Sequence, residues 1–400
     1  MAAFRRRLAT MSAASLAVFT LCAGAASAAP KPKPVKIPVI LPLTGGAAFL
    51  GAGEWKAMQL ALKTFNATGG IHGRPAEFDI YDDQSTPQIA VQLAHQILGS
   101  HPPIVIGSTL VALCNAMAPL FKNGPVEYCV SPAIHPPAGS YVFSGSVDFA
   151  DLVRKSISFL RHKHLTRLGA IYSIDASGQE SERDNDAAMR LPKNAGMKVV
   201  AVAHYNPTDV SVAAQIEKIK AAAPQAFLAW SPGAQVASVF KALAQSGLDV
   251  PVVTTSANMT FAQMKQYASF LPKTLYIPSP EWPKAGPNIH LDPGVVAAHR
   301  AMYSAFEAVG REPDNPAADG WGIATLVLHV LASLPEHPSA EQVRNAIAHL
   351  KNYAGVDGIY NFEKTPQRGL SGKYVVMTRW DPKKKSFVVV SQPGTGGPAD

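Results

Sequence analysis

Catalytic signatures are missing from this 400-residue chain. It has no G-x-S-x-G elbow, no H-E-x-x-H pair and no G-x-G-x-x-G turn. A serine nucleophile, a zinc-bound water and a dinucleotide grip therefore have no local support. His135 lacks a sequence neighbour that would complete a triad, so enzymatic activity is not expected and no cofactor is implied. Cysteine is scarce, with three residues at positions 22, 114 and 129, and the absence of C-x-x-C excludes dithiol redox chemistry. Charge is sparse as well: the formal net charge is +8, and Arg5, Arg6 and Arg7 supply 3 of it, leaving +5 on the remainder. That excess is scattered apart from Lys383-Lys384-Lys385, so no nucleic-acid surface is expected. The lysine triplet lies between Trp380-Asp381-Pro382 and Phe387-Val388-Val389, the pattern of a hairpin turn between late strands.

Long apolar runs are confined to the start. Three arginines, an apolar segment over 8–25 and the small residues Ala26-Ser27-Ala28 have the layout of a secretory signal peptide, 1–28. Cys22 is a poor lipid anchor, since Phe19 and Leu21 crowd the positions before it. No later run reaches the roughly 18 apolar residues that a bilayer requires. The mature chain is expected in the periplasm, beginning with an extended basic leader, PKPKPVK over 30–36. There Cys114 and Cys129 either pair, tying a helix to the neighbouring strand, or remain buried thiols.

What is present is alternation. Strands expected at 35–41, 77–82, 104–107 and 126–130 are separated by helical patterns at 53–65, 87–98 and 111–121. A second series follows, with helices at 151–163, 179–191, 212–222 and 234–246 and strands at 167–172, 198–204, 226–230 and 252–254. Alternation of this length gives parallel sheets with right-handed crossovers, and two series imply two lobes. The last third carries a strand near 275–277, helices at 293–309, 319–334 and 340–350, and strands near Tyr374 and Phe387. Asp82 and Asp83 fall at the end of the second strand, where Ser85 or Thr86 is expected to cap the helix begun by Pro87. Too few further oxygen ligands converge there for a metal.

The ordered set Pro42-Leu43-Thr44-Gly45, NATGGIHG over 66–73, Tyr81-Asp82-Asp83, Ser131-Pro132-Ala133, Tyr205-Asn206-Pro207-Thr208-Asp209, IEKIKAAAP over 216–224 and Asp319-Gly320-Trp321 resembles the branched-chain amino-acid type of periplasmic solute-binding protein. The resemblance implies an α/β type I periplasmic-binding-protein fold, with two Rossmann-like lobes joined by a three-strand hinge. It divides the chain into lobe 1 (35–147 and 280–355) and lobe 2 (148–279 and 356–400). It also implies a receptor that closes on a solute and hands it to an ABC permease in the inner membrane. The expected working unit is a monomer.

Ligands of open α/β sheets bind beyond the carboxyl ends of the strands. Gly107-Ser108-Thr109-Leu110-Val111 passes from strand to helix there and offers backbone N–H groups. The resemblance places a serine where this chain has Val111 and a threonine where it has His135, with Ala133 as its alanine. It places a tyrosine at Ser177 and an acid for an α-ammonium within Ser256-Ala257-Asn258, where none stands. Burying an ammonium without a counter-charge is costly. A carboxylate or other apolar-bodied solute, such as an aromatic acid, is therefore expected ahead of a standard amino acid. The candidate contacts are Phe49, Leu50, Thr109, Leu110, Val111, Ala133, His135, Ser177, Trp230 and Asn258. A diffusible sensor for a chemoreceptor or kinase is the competing function, and a receptor for branched-chain amino acids the competing ligand class.

Overall fold

Two separate parallel arrays dominate the architecture. A computed structural model of the chain describes residues 32–284, 289–394 and 397. The expected signal peptide, 1–28, lies outside the described residues. The first array alternates β1 (Val35–Leu41), α1 (Ala48–Ala67), β2 (Ala76–Asp82), α2 (Pro87–Leu98), β3 (Ile104–Ile106), α3 (Val111–Met117), β4 (Val126–Cys129) and β5 (Val142–Ser144). Its five strands lie in the order β2-β1-β3-β4-β5, all parallel. Strands such as Ile104-Val105-Ile106 are apolar throughout and buried on both faces, as a sheet covered by helices on each side requires.

The second array runs α4 (Phe149–His162), β6 (Arg167–Ser173), α5 (Ala176–Met189), β7 (Lys198–Tyr205), α6 (Ala213–Ala221), β8 (Ala226–Trp230), α7 (Val236–Ser246), β9 (Val252–Thr254), α8 (Phe261–Gln266) and β10 (Leu275–Pro280). The chain then returns to the first lobe through α9 (Pro293–Glu307), α10 (Asn315–Ser333) and α11 (Ala340–Ala348). α10 packs along α1, and α11 lies against β4. A hairpin, β11 (Lys351–Gly355) with β12 (Gly358–Asn361), precedes β13 (Val375–Asp381) and β14 (Ser386–Val389). These last two strands complete a seven-stranded sheet, β14-β13-β10-β9-β8-β6-β7. β13 runs antiparallel to both of its neighbours. The chain thus passes between sheets three times. An expected break at 355/356 falls inside the β11–β12 hairpin, where Gly355 pairs with Gly358; the third passage comes later, between β12 and β13.

Cys114 and Cys129 form a disulfide with a Cα–Cα distance of 6.1 Å, joining α3 to the end of β4. The expected caps on α2 do not form. Thr86 holds the N-cap position without a side-chain bond. Ser85 turns to the β1–α1 loop instead, accepting from Ala47 N and donating to Thr44 O. Asp82 fastens the same loop by accepting from Leu43 N, Thr44 N and Thr44 Oγ1. Asp83 accepts from Ser108 Oγ at 2.5 Å. The paired aspartates therefore tie together two loops at the carboxyl edge of the first sheet. Among the described residues, no group of His, Cys, Asp or Glu is arranged to hold a metal.

Candidate functional site

The carboxyl edges of the two sheets face each other across a cavity walled by both lobes. The first lobe contributes Leu50 and Glu54 from α1, Thr109, Leu110 and Val111 after β3, the loop through Val130 and Ala133, and Asn315 and Asp319 from α10. The second contributes Phe149 at the start of α4, Ser177 and Ser181 of α5, Pro232 after β8, and Thr255, Ser256 and Ala257 after β9. The lining is apolar with isolated hydroxyls and two carboxyl groups, and among the described residues no lysine or arginine is part of it.

Local chemistry sets each wall. Asp175 caps α5 by accepting from Gly178 N, which fixes the first turn bearing Ser177. A Cβ at Gly178 would sit 1.7 Å from Ser173 O, so only glycine lets the helix start this close to β6. Gly320 performs the same service between α10 and α1: a Cβ there would meet Glu54 O at 2.3 Å. That approach brings Glu54 and Asp319 to one end of the cavity.

Glu54 is almost fully buried. Its Oε2 accepts from Thr109 Oγ1 at 2.5 Å, while Oε1 has no partner among the described residues. Burial pushes its pKa up to about 8 against the opposing effect of the Thr109 bond, and the Asp83 charge adds to the rise. Asp319 accepts from Asn315 Nδ2 at 2.6 Å. Burial, then Asp357 and Glu54, raise Asp319 well above the carboxylate range. Asp357, behind it, is raised to about 7 by burial. Burial and the mutual repulsion of these neighbours both favour the neutral form at this end of the cavity.

Of the ten residues nominated from sequence, Leu50, Thr109, Leu110, Val111, Ala133 and Ser177 line this single cavity. The other four stand elsewhere. Phe49 points into a wider outer groove and meets Tyr267 edge-on at 6.2 Å, because the next residue, Leu50, takes the inward position on α1. Trp230 is completely buried at the end of a central strand, and its ring packs edge-on against Phe149 at 5.7 Å; it backs a cavity wall without forming one. Asn258 is buried as a brace, donating to Ser231 O at 2.7 Å and Thr254 Oγ1 at 2.8 Å and accepting from Gly233 N at 3.0 Å. It holds the loops carrying Pro232 and Thr255.

His135 lies outside the cavity and bridges the lobes. Its Nε2 is 2.6 Å from Glu180 Oε1 on α5, and its Nδ1 is 3.9 Å from Asp148. Arg183 also reaches Glu180. The Glu180 hydrogen bond raises the histidine pKa, opposed by burial. Beneath it, buried Arg368 donates to the carbonyls of Pro132, Ile134 and Ser146 and to Ser144 Oγ. It ties the third passage of the chain to the first. A second interlobe bond runs from Ala234 N to Gly46 O at 3.1 Å. These contacts describe a closed arrangement.

Sequence reasoning missed Glu54, Asn315 and Asp319, and with them Phe149 and Thr255. Glu54 did leave a signal. It interrupts the apolar stripe Leu50, Ala57, Met58 and Ala61 on α1, and an acid at helical spacing on a buried face needs a reason.

A family model described as periplasmic binding protein matches residues 34–385. A leucine-, isoleucine-, valine-, threonine- and alanine-binding protein of Pseudomonas aeruginosa is 23% identical over 231 residues, 57% of this chain and 61% of that protein's length. Among solved structures, a branched-chain amino acid transporter substrate-binding protein from Streptococcus pneumoniae in complex with isoleucine superposes with a TM-score of 0.73. It is 17% identical, covering 90% of this chain and 99% of the other. A fatty acid ABC transporter substrate-binding protein from Thermomonospora curvata has a TM-score of 0.74 at 19% identity, covering 92% and 95%.

Proposed function

This chain belongs to the periplasmic binding proteins, which bind solutes rather than transform them, and from that premise we propose that it is the extracytoplasmic receptor of an ABC importer. In this reading it closes on one small, apolar-bodied solute and presents the closed form to a permease in the inner membrane. The observation that carries the reading is a cavity walled by both lobes, with Leu50, Leu110 and Val111 on one side and Phe149 and Pro232 on the other. Contacts from two bodies to one guest lower the free energy of the closed state relative to the open one. Export by the segment 1–28 and a periplasmic location belong to the same proposal, as does the division into lobes near 147/148 and 279/280.

An aromatic acid is one solute class that fits an apolar cavity with hydroxyls at Ser131, Ser177 and Ser256. The case for it rested on the lack of an acid to meet an ammonium. Glu54 and Asp319 remove that ground, and they favour a second reading in which the solute is an amino acid.

Native mass spectrometry and a thermal-shift panel of amino acids, aromatic acids, fatty acids and amides test the proposal. One class should bind with one-to-one stoichiometry and raise the melting temperature. A folded protein that neither carries nor responds to any small molecule contradicts it.

A further inference from the structure

We infer that the free edge of β14 and the lysine turn before it form a docking groove for an extended, acidic segment of a partner protein. The inference goes beyond the receptor reading, since this surface lies outside the solute cavity.

Backbone groups supply the first contact. β14 ends its sheet, and Val390 N donates to Met377 O, so strand alternation turns the N–H and C=O groups of Phe387 and Val389 away from β13. A groove follows this edge: Ser386, Phe387, Val388 and Val389 all line it, residues of both strand faces in succession. Trp282 and Tyr303 line it too. It meets the outer groove beside Phe49 at Phe261 and Glu312, which border both, so its walls come from both lobes. Trp282 is 2% exposed, and its Nε1–H has no acceptor among the described residues. Edge amides and an indole donor call for carbonyl or carboxylate oxygens, and an extended segment brings carbonyls in strand register.

Charge selects the partner. Lys383, Lys384 and Lys385 form the turn between β13 and β14. Asp381 closes it by accepting from Lys383 N and Lys384 N, and the three lysines are exposed. Lys384 lines the edge groove, and Lys385 lines the outer one with Lys56 and Arg311. Of the acids lining the two grooves, Glu312 pairs with Lys284 at 3.9 Å and Asp314 caps α10 by accepting from Ala317 N. That leaves Glu307 against Lys56, Arg311, Lys384 and Lys385. An acidic strand gains from this excess, and a basic one is repelled. Phe387, with Trp380 at 4.9 Å and Phe261 at 5.3 Å, offers apolar contact to alternate side chains of the segment.

The test is fluorescence anisotropy of the purified protein with a fluorescein-labelled heptapeptide of alternating glutamate and valine, together with amide hydrogen exchange. The comparison peptides carry lysine in place of glutamate, or are N-methylated throughout so that they cannot pair as strands. The expected result is saturable binding of the glutamate peptide, with protection of the Phe387 and Val389 amides and no binding of either comparison peptide. Joint Lys384→Glu and Lys385→Glu substitution weakens it roughly tenfold. Val389→Pro, which removes an outward N–H, weakens it as well. The charge variant alters exposed side chains alone, so the test is read whether or not the proline variant folds. Failure of the glutamate peptide to bind overturns the inference. So does binding that the lysine peptide matches, that charge reversal leaves unmoved, or that protects amides elsewhere. A dimer in sedimentation that protects the same two amides without peptide also overturns it, by assigning the edge to a second copy. The receptor reading stands through all of these outcomes and fails only if the solute panel neither binds nor shifts the melting temperature.

Discussion

Thr109 Oγ1 donates to Glu54 Oε2 at 2.5 Å, and that bond joins the loop after β3 to the one carboxyl group on the buried face of α1. Thr109 meets only half of the carboxyl, since Oε1 has no partner among the described residues. The cavity therefore carries an acid held in place but incompletely satisfied.

Stability should fall as pH rises because of it. An acid raised to about 8 by burial binds its proton more tightly in the folded than in the unfolded chain. It is harmless below its ordinary value of 4.5 and costs stability increasingly as pH climbs from there through about 8. Asp357, raised to about 7, acts in the same direction. Melting temperatures of wild type and Glu54→Gln measured from pH 5 to 9 should diverge, with the variant gaining relative to wild type toward pH 9. A constant difference contradicts the assignment.

The interlobe bridge weakens in the same direction, as a stabilising contribution lost rather than a cost incurred when pH rises. His135, raised by its bond to Glu180, stabilises the closed form fully below its ordinary value of 6.5 and loses that contribution as pH rises through its folded value. Asp148, Arg183 and Arg368 face the same cluster. The side chain is nearly half exposed, so the contribution is small, on the order of 0.2–1 kcal/mol. Small-angle scattering of the ligand-free protein should give a more compact particle at pH 5.5 than at pH 8.5. His135→Gln should narrow that difference, and an unaltered profile would remove the bridge from the closing equilibrium.

Trp230 is a packing residue, and its removal should act on folding. Trp230→Ala leaves a void beside Phe149 and is expected to cost about 3–5 kcal/mol in denaturant unfolding, with Trp230→Phe intermediate. A Trp230→Phe protein that keeps its melting temperature but changes its order of preference among solutes would return Trp230 to the site.

The disulfide between Cys114 and Cys129 closes a short loop around α3. Replacing both cysteines by serine is expected to lower stability by about 2–4 kcal/mol, read from urea unfolding under non-reducing conditions. A loss below about 0.5 kcal/mol contradicts a constraint of this size.

Alternation of strand and helix was legible because parallel strands are apolar throughout and their crossover helices are periodic. Short elements were not: β5 has three residues and α8 six, too few for a period to show. The cavity residues nearest to strand ends, Thr109 to Val111 and Ser177, follow from the rule that sites open at the carboxyl edge. Glu54 and Asp319 do not, because they reach the cavity from α1 and α10, helices far apart in sequence that pack along each other. Trp230 was misread for a related reason. A large aromatic at a strand end has two faces available, and the burial of Phe149 against it decides which one is used.

The claim on which the account depends is that one guest sits between two lobes, and blocking the cavity from each side tests it directly. Ala133→Phe fills it from the first lobe and Ser177→Phe from the second; each is titrated with whichever solute saturates wild type. The account predicts that either substitution alone weakens binding at least a hundredfold while both proteins remain folded. Wild-type affinity in either variant would show that the solute is not held between them.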